Sequence, residues 1–184
     1  MDSESSLRGR LLIASPALLD PNFRRSVVLV AEHNDEGALG LVLSRPTSIP
    51  VSEAAPALVP LVQGDDLIFW GGPVQPEAVT VLAELDDPSA AALLVDGDVG
   101  FLPAGADPGE IADAARRKRV YAGYAGWSAG QLEEELEEEA WIVSPPGDGE
   151  LFSDEPAGLW ASVLRRMGGQ YALLATMPLD PSVN

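Results

Sequence analysis

The chain contains no cysteine among its 184 residues. Disulfides, thiolate catalysis, iron–sulfur clusters and cysteine-ligated zinc are therefore excluded together. Histidine is almost as scarce, since His33 is the only one. No site with two histidine ligands can form within the chain, and any serine–histidine–aspartate arrangement must use His33. The residues predict neither a metal site nor a bound cofactor.

Cationic residues are few. The chain has 11 Lys and Arg against 29 Asp and Glu, which gives a formal net charge of −18. Nucleic-acid binders gain affinity by neutralising phosphates with Lys and Arg, so direct nucleic-acid binding is not expected, and neither is attachment to an anionic membrane surface. The expected partner is a small ligand or another protein.

Long hydrophobic runs are absent as well. No segment approaches the roughly 20 apolar residues of a spanning helix, and the first ten residues, MDSESSLRGR, are polar and acidic, unlike a signal peptide. We therefore expect a cytoplasmic protein. With 46% apolar and 22% charged residues, the composition predicts one globular domain over 1–184, with residues 1–8 as a disordered tail.

Short apolar runs between turn-forming residues dominate the pattern. They predict strands at 10–15, 26–32, 38–44, 66–74, 78–85, 91–95, 99–103, 120–126 and 140–144. The Gly-containing turn at 35–37 predicts an antiparallel hairpin between the second and third strands. Helices are predicted from Asp107 onward, over 128–139 and over 156–169, with a short helical turn after Asp20. This irregular order predicts an α+β fold with a largely antiparallel sheet, and it leaves barrel closure undetermined.

Residues 126–130, GWSAG, match the G-x-S-x-G pattern of a nucleophile elbow between a strand and a helix. A hydrolase would use Ser128 with His33, yet His33 lies 95 positions before the serine, whereas the elbow's histidine follows it. The alternative is a capping box, in which Ser128 caps the helix and Gln131 reaches back to the serine's own backbone N–H. The capping interpretation is favoured, and the sequence leaves open whether the protein is an enzyme while leaning against it.

Polar residues flank the predicted hairpin. His33 ends one strand and Arg45 follows the next, so the two are expected at the same end of the sheet, with Arg24 nearby. Such a cationic spot could hold a carboxylate or phosphate. The alternatives are a hydrogen-bonded structural histidine and ion pairs of the arginines with Asp20 or Glu32.

Aromatic residues near the GWSAG segment suggest a ligand-binding wall formed by Trp127 and Tyr124, although core packing is the alternative. The basic run Arg116–Arg119 is expected in the last turn of a helix, where positive charge complements the helix dipole. That structural role is favoured over contact with RNA.

Several separated segments resemble the bacterial YqgE/AlgH family, and the resemblance spans essentially the whole chain. They are LLIASPALLDPNFRRSVVLVAEHNDEGALGLVLSRPT at 11–47, GGPV at 71–74, YAGYAGWSAGQLEEEL at 121–136, AWIV at 140–143 and MPLDPSVN at 177–184. The resemblance implies an α+β fold with a bifurcated, largely antiparallel sheet that includes a small closed β-barrel, surrounded by about four helices. It implies no established biochemical activity. The AlgH half of the family name reflects a proposed role in transcriptional regulation of alginate synthesis, which the charge of −18 makes hard to interpret as direct DNA binding.

Together these observations predict a binding or regulatory module for a small anionic ligand or a protein partner. Because loops placed by a rigid scaffold often carry binding groups, three distant segments are expected to converge on one concave site. Its candidate residues are His33, Arg45, Arg24, Tyr124, Trp127 and Gln131.

Overall fold

The computed structural model describes residues 6–179. Ten strands form its sheet: β1 (Leu11–Ala14), β2 (Val27–Asn34), β3 (Gly37–Val42), β4 (Pro46–Pro50), β5 (Leu67–Trp70), β6 (Val74–Leu85), β7 (Leu93–Asp96), β8 (Val99–Phe101), β9 (Ala115–Ser128) and β10 (Trp141–Ser144). The helices are α1 (Val51–Ala54), α2 (Pro108–Ala112), α3 (Gln131–Glu137), α4 (Leu159–Met167) and α5 (Gly169–Leu174). None of the helices in this part of the chain is long and apolar enough to cross a membrane.

The sheet branches at β9, its longest strand. The main path runs β10-β1-β2-β3-β9-β6-β8-β7 with antiparallel neighbours throughout. A side branch leaves β9 where β5 pairs with it in parallel, Phe69 opposite Tyr121, and β4 then pairs with β5. The predicted antiparallel hairpin is confirmed as β2 and β3. The α+β class with a largely antiparallel sheet is confirmed too.

The sheet is open, so the small closed barrel implied by the family resemblance is wrong. Within the described residues the strand path begins at β10 and ends at β7 without forming a ring. The last strand of the path, β7, comes close to β2 through Gly9. The backbone N–H of Gly9 donates to the backbone oxygen of Val30 in β2, and a Cβ built on Gly9 would lie 3.0 Å from the backbone oxygen of Val95 in β7. Closure is prevented because β2 already has β1 and β3 on its two edges.

The helix predicted to carry the basic run is much shorter than expected. Its start is confirmed, since the Asp107 side chain accepts from the backbone N–H of Gly109 at 2.8 Å, but α2 ends at Ala112. Residues 116–119 belong to β9, where Lys118 lies opposite Ala83 of β6. The prediction failed because strand formation here depends on pairing with a distant segment, which local propensity does not encode.

Both faces of the sheet are covered, which explains the continuous apolar runs. Along β1, Leu11 and Ile13 face a core closed by α4, whereas Leu12 and Ala14 face a second core that contains Leu132 of α3. Successive side chains of a strand point to opposite faces, so a strand buried on both sides needs apolar residues at every position. Trp127 of the GWSAG segment lies in the second core.

Candidate functional site

His33 and Arg45 lie at opposite ends of the β2–β3 hairpin, so the prediction that they share one end of the sheet is wrong. His33 is opposite Ala38, next to the turn, whereas Arg45 lies beyond the far end, where Val28 is opposite Val42. The four steps from Ala38 to Val42, at about 3.3 Å each, already span roughly 13 Å. In an antiparallel hairpin, a residue beside the turn cannot lie beside one that follows the second strand.

His33 is buried, and both ring nitrogens have partners. The backbone N–H of Leu7 donates to Nδ1 at 3.0 Å, so Nε2 carries the proton and donates to Oε1 of Glu133 at 2.7 Å. The backbone N–H of Glu133 and the hydrogen bond from His33 hold the pKa of the Glu133 carboxyl below its ordinary value. Ser6 also donates to the backbone oxygen of His33. His33 thus joins the start of the described chain to α3, while residues 1–5 of the predicted tail lie outside the described residues.

Arg45 holds a loop in place. Its Nη1 and Nη2 donate to the backbone oxygens of Pro21 and Arg24, each at 3.0 Å, and its guanidinium lies 5.2 Å from the centre of the Trp70 ring. Burial, reinforced by the Arg24 charge, lowers the pKa of Arg45. Arg24 takes part through its backbone oxygen, and the loop that follows Asp20 is a hydrogen-bonded turn without a regular helix.

Trp127 and Tyr124 point to opposite faces of β9, so they do not form one wall. Trp127 is 6% exposed and packs in the second core, with ring centres 6.1 Å from Phe23 and 6.0 Å from Trp141. Tyr124 covers Gly126 on the other face, where an added Cβ would lie 3.8 Å from its ring. The phenylalanine comes from the loop that Arg45 holds, so Arg45 and Trp127 are linked through packing and not through a shared cavity.

Glu135 joins this aromatic cluster to α3, and the sequence analysis missed it. Its Oε2 accepts from Nε1 of Trp127 at 2.9 Å and from Nε1 of Trp141 at 2.7 Å, while its Oε1 accepts from Nε2 of Gln131 at 3.0 Å. Only the four-residue spacing of Gln131 and Glu135 hinted at this, because such residues share one helix face.

Ser128 is not the helix cap that the capping-box pattern predicts. The residue before α3 is Gly130, with φ 78°, and no side chain caps the helix start. Half of the box is present, since the backbone N–H of Ser128 donates to Oε1 of Gln131 at 3.0 Å. Along the ladder, Trp127 is level with Ala38 and His33, whereas Ser128 is one residue further on and faces the opposite side. Ser128 and His33 therefore cannot work as a nucleophile and base.

We expect Ser128→Ala to change the free energy of unfolding by less than about 0.5 kcal/mol, since an exposed hydroxyl with no capping role contributes little. Urea denaturation of the two proteins measures the difference. A loss of about 1 kcal/mol, the usual cost of removing a helix cap, would show that the hydroxyl does cap α3 in solution.

A cavity of about 460 Å³ lies beside the first half of β9. We call it the cationic cavity. It is lined by Pro60, Leu61, Val62, Gln63, Asp66, Ala112, Asp113, Arg116, Arg117, Lys118, Arg119, Phe152 and Asp154. It occupies the side where the sheet branches: β9 pairs with β6 over 117–119, and within residues 6–179 no strand pairs with its other edge there. The basic run that was predicted to end a helix therefore lines a cavity at a free edge of β9.

Two of the four cations in the run are already neutralised. Arg116 donates to Asp86 at 2.8 Å and also pairs with Asp98, while Arg117 pairs with Glu84. The hydrogen bond from Arg117 lowers the pKa of the Glu84 carboxyl. These two arginines are therefore engaged on the β6 side of the strand.

The other two cations have no carboxylate partner within the described chain. Lys118 Nζ donates to the backbone oxygen of Ala112 at 2.6 Å, and Arg119 Nη2 donates to the backbone oxygen of Ser153 at 2.9 Å. The Arg119 guanidinium also lies 4.5 Å from the centre of the Phe69 ring. The cavity is therefore lined by two cations that no carboxylate of the described chain neutralises.

Arg119 also lies beside the buried Tyr121. Burial raises the pKa of the Tyr121 phenol, while the charge of Arg119 and a hydrogen bond from it act in the opposite direction. Arg119 Nη1 and the Tyr121 hydroxyl are both sealed from solvent, and neither meets strict hydrogen-bond geometry with an atom of residues 6–179. Arg119 is therefore held between Phe69, Ser153 and Tyr121 at the edge of the cavity that it lines.

No group of three or more His, Asp or Glu side chains that could hold a metal ion occurs within residues 6–179. The chemistry available at the cationic cavity is therefore that of guanidinium, ammonium and carboxylate groups. These features define an α+β protein with an open, branched sheet and a polar cavity, in which Ser128 and His33 point to opposite faces of the sheet.

The chain belongs to the AlgH-like family, whose model matches residues 11–172. It is 44% identical over 190 residues to a UPF0301 protein of Streptomyces avermitilis, a match that covers 100% of this chain and 98% of the relative. A second relative, a UPF0301 protein of Thermobifida fusca, is 43% identical, with 97% and 96% of the two chains covered. The family resemblance predicted from the sequence is confirmed.

Two solved structures share the fold. The solution structure of the AlgH protein from Pseudomonas aeruginosa matches with a TM-score of 0.73 and 32% identity, covering 97% of each chain. A crystal structure of a Corynebacterium diphtheriae protein matches with a TM-score of 0.86 and 27% identity, covering 96% of this chain and 95% of the other. The names of these relatives state no biochemical activity.

Proposed function

We propose that this protein is a binding module, without catalytic activity of its own, that holds a small anion in the cationic cavity. The supporting observation is that Lys118 and Arg119 line this cavity while no carboxylate in the described chain forms an ion pair with either of them. Lys118 lines the same cavity from the other face of β9, so the cavity offers two cations to an incoming carboxylate or phosphate around the free edge of the strand. Their hydrogen bonds to such a ligand would be charge-assisted, the stronger kind.

The volume and position of the cavity support a small ligand. About 460 Å³ falls in the range of small-molecule pockets, roughly 300 to 1,000 Å³. The lining comes from distant segments, including Leu61, Arg119 and Phe152, which the sheet and its flanking loops hold in place. A site assembled in this way is largely formed before the ligand arrives, which reduces the entropic cost of binding.

The alternative functions have less support. A hydrolase would need Ser128 beside His33, and the register places them on opposite faces. Direct binding to nucleic acid would draw on the basic run, yet Arg116 and Arg117 are neutralised by Glu84, Asp86 and Asp98. A protein partner and a cytoplasmic location stay predictions.

The test is an NMR titration of the isotope-labelled protein with inorganic phosphate and with valerate. We expect saturable shifts confined to the backbone amides that line the cationic cavity. Arg119→Gln should weaken binding about tenfold or more, because one charge-assisted hydrogen bond is worth about 1.5–3 kcal/mol. Lys118→Gln, which alters the other cation of the cavity, provides a second variant if the first one unfolds.

Arg165→Gln is the matched control. Arg165 is exposed on α4, carries the same charge and does not line the cavity. Its loss should leave the affinity within about twofold, a difference of under 0.5 kcal/mol. Absence of saturable binding by either anion, or equal weakening by Arg119→Gln and Arg165→Gln, would contradict the proposal.

A further inference from the structure

Carboxylates also line the cationic cavity. Asp66, Asp113 and Asp154 line it, and none of the three forms an ion pair within residues 6–179. Asp66 accepts from the backbone N–H of Gln63 through Oδ2 at 2.9 Å, which fixes its orientation. Asp113 and Asp154 are exposed at the cavity. Three carboxylates therefore face the same space as Lys118 and Arg119 without neutralising them.

This arrangement discriminates among charged ligands. A purely anionic molecule gains the contacts of Lys118 and Arg119 but approaches three carboxylates at short range, and the chain as a whole repels it with a charge of −18. A purely cationic molecule is attracted by the carboxylates but repelled by Lys118 and Arg119. Unlike charges attract and like charges repel across a few ångströms, so the favoured ligand carries both signs at separate ends.

We infer that the ligand of the cationic cavity is zwitterionic, a small molecule with a carboxylate or phosphate at one end and an ammonium or guanidinium at the other. The inference rests on the proposed function and adds the second half of the ligand. The anionic end binds Lys118 and Arg119, which form no ion pair with a carboxylate of the described chain. The cationic end binds the aspartates, of which Asp113 and Asp154 are the accessible pair. Amino acids and short amino-carboxylates belong to this class.

Three probes with the same five-carbon chain separate the two contributions. They are 5-aminovalerate, which carries both charges, valerate, which carries only the carboxylate, and pentylammonium, which carries only the amine. In NMR titrations we expect 5-aminovalerate to bind about tenfold more tightly than valerate, since one added charge-assisted hydrogen bond is worth that factor or more. Pentylammonium should bind more weakly than 5-aminovalerate.

The double variant Asp113→Asn with Asp154→Asn tests whether these two aspartates bind the cationic end of the ligand. Both residues are exposed, so the variant should fold, and it should bring the affinity ratio of 5-aminovalerate to valerate close to one while valerate itself binds at least as tightly as before. The control variant is Asp148→Asn, which changes an exposed carboxylate that does not line the cavity and should leave the ratio unchanged.

The outcomes distinguish this inference from the proposed function. If valerate binds at the cavity as tightly as 5-aminovalerate, the ligand is simply anionic, and the zwitterion inference is overturned while the binding module stands. If 5-aminovalerate is preferred but the double variant keeps that preference, the aspartates do not select it and the inference is again overturned. If neither valerate nor phosphate binds, the proposed function itself is overturned.

Discussion

Gly72→Ala is expected to destabilise the protein by about 4 kcal/mol or more. A Cβ at this position would lie 2.0 Å from the carbonyl carbon of Tyr124, 2.1 Å from its oxygen and 2.3 Å from the backbone nitrogen of Ala125. Gly72 also has a φ of 154°, which side chains of L-residues rarely allow. The clashing atoms all belong to the backbone of β9. This strand cannot move away from Gly72 without breaking its pairing with β3 and β6. Losses of this size are exceptional for single substitutions and have identifiable structural causes.

The control is Gly64→Ala, a change of the same chemistry at a place with room for a methyl group. No atom lies within 4 Å of a Cβ built there, and its φ is not positive. We expect a change within about 0.5 kcal/mol, or a small gain from the reduced entropy of the unfolded chain. Urea denaturation followed by circular dichroism measures both variants. A loss of less than 1 kcal/mol for Gly72→Ala would contradict the close approach of the two backbones.

The glycine pair explains how the sheet branches. The backbone N–H of Gly71 donates to Ala122 of β9, and the backbone oxygen of Gly71 accepts from Val42 of β3, both at 2.8 Å. Gly71 therefore lies between β3 and β9 at the point where β5 leaves β9. A side chain would not fit there. The GGPV segment, one of the family-like segments of the sequence, has this structural role whatever its part in binding.

The parts of the fold that the sequence predicted are those with local signals. The β2–β3 hairpin follows from two apolar runs and a turn containing Gly37, and α4 ends at Gly168, where two glycines predict a helix end. The start of α2 at Asp107 is a local capping signal and was also predicted. Each of these features is decided by residues within a few positions of one another.

The candidate site could not be predicted because it depends on distant pairing. Residues 116–119 look like the end of a helix until β6 is known to pair with them, and that pairing turns the run into a strand beside a cavity. The residues chosen from the sequence are held by structural contacts, since His33, Arg45 and Trp127 each have hydrogen-bond partners in separate places. A residue needed for packing or hydrogen bonding therefore looks like a binding residue in the sequence, whether or not it binds a ligand.

Glu135→Ala should cost about 2–6 kcal/mol of unfolding free energy, although the residue lies on the most acidic stretch of the chain. Its carboxylate is the acceptor for the indole N–H groups of both Trp127 and Trp141. These two tryptophans are only 6% and 4% exposed. Without it, two buried donors lose their partner, and each buried donor left unpaired costs about 1–3 kcal/mol. The effect therefore comes from the tryptophans and not from the loss of a surface charge.

Glu134→Ala is the matched control, one position earlier on the same helix. Glu134 is exposed, and no hydrogen bond or ion pair joins its side chain to the described residues. Both variants remove one negative charge and add one alanine, so helix propensity and net charge change alike, and only the indole contacts differ. We expect the control to stay within about 0.5 kcal/mol of the parent protein in urea denaturation. Because the two indoles lie in one cluster, tryptophan fluorescence should also shift in Glu135→Ala and not in Glu134→Ala. Equal stability of the two variants would mean that the tryptophans find water or another acceptor, and the aromatic cluster would then not depend on α3 for its polar contacts.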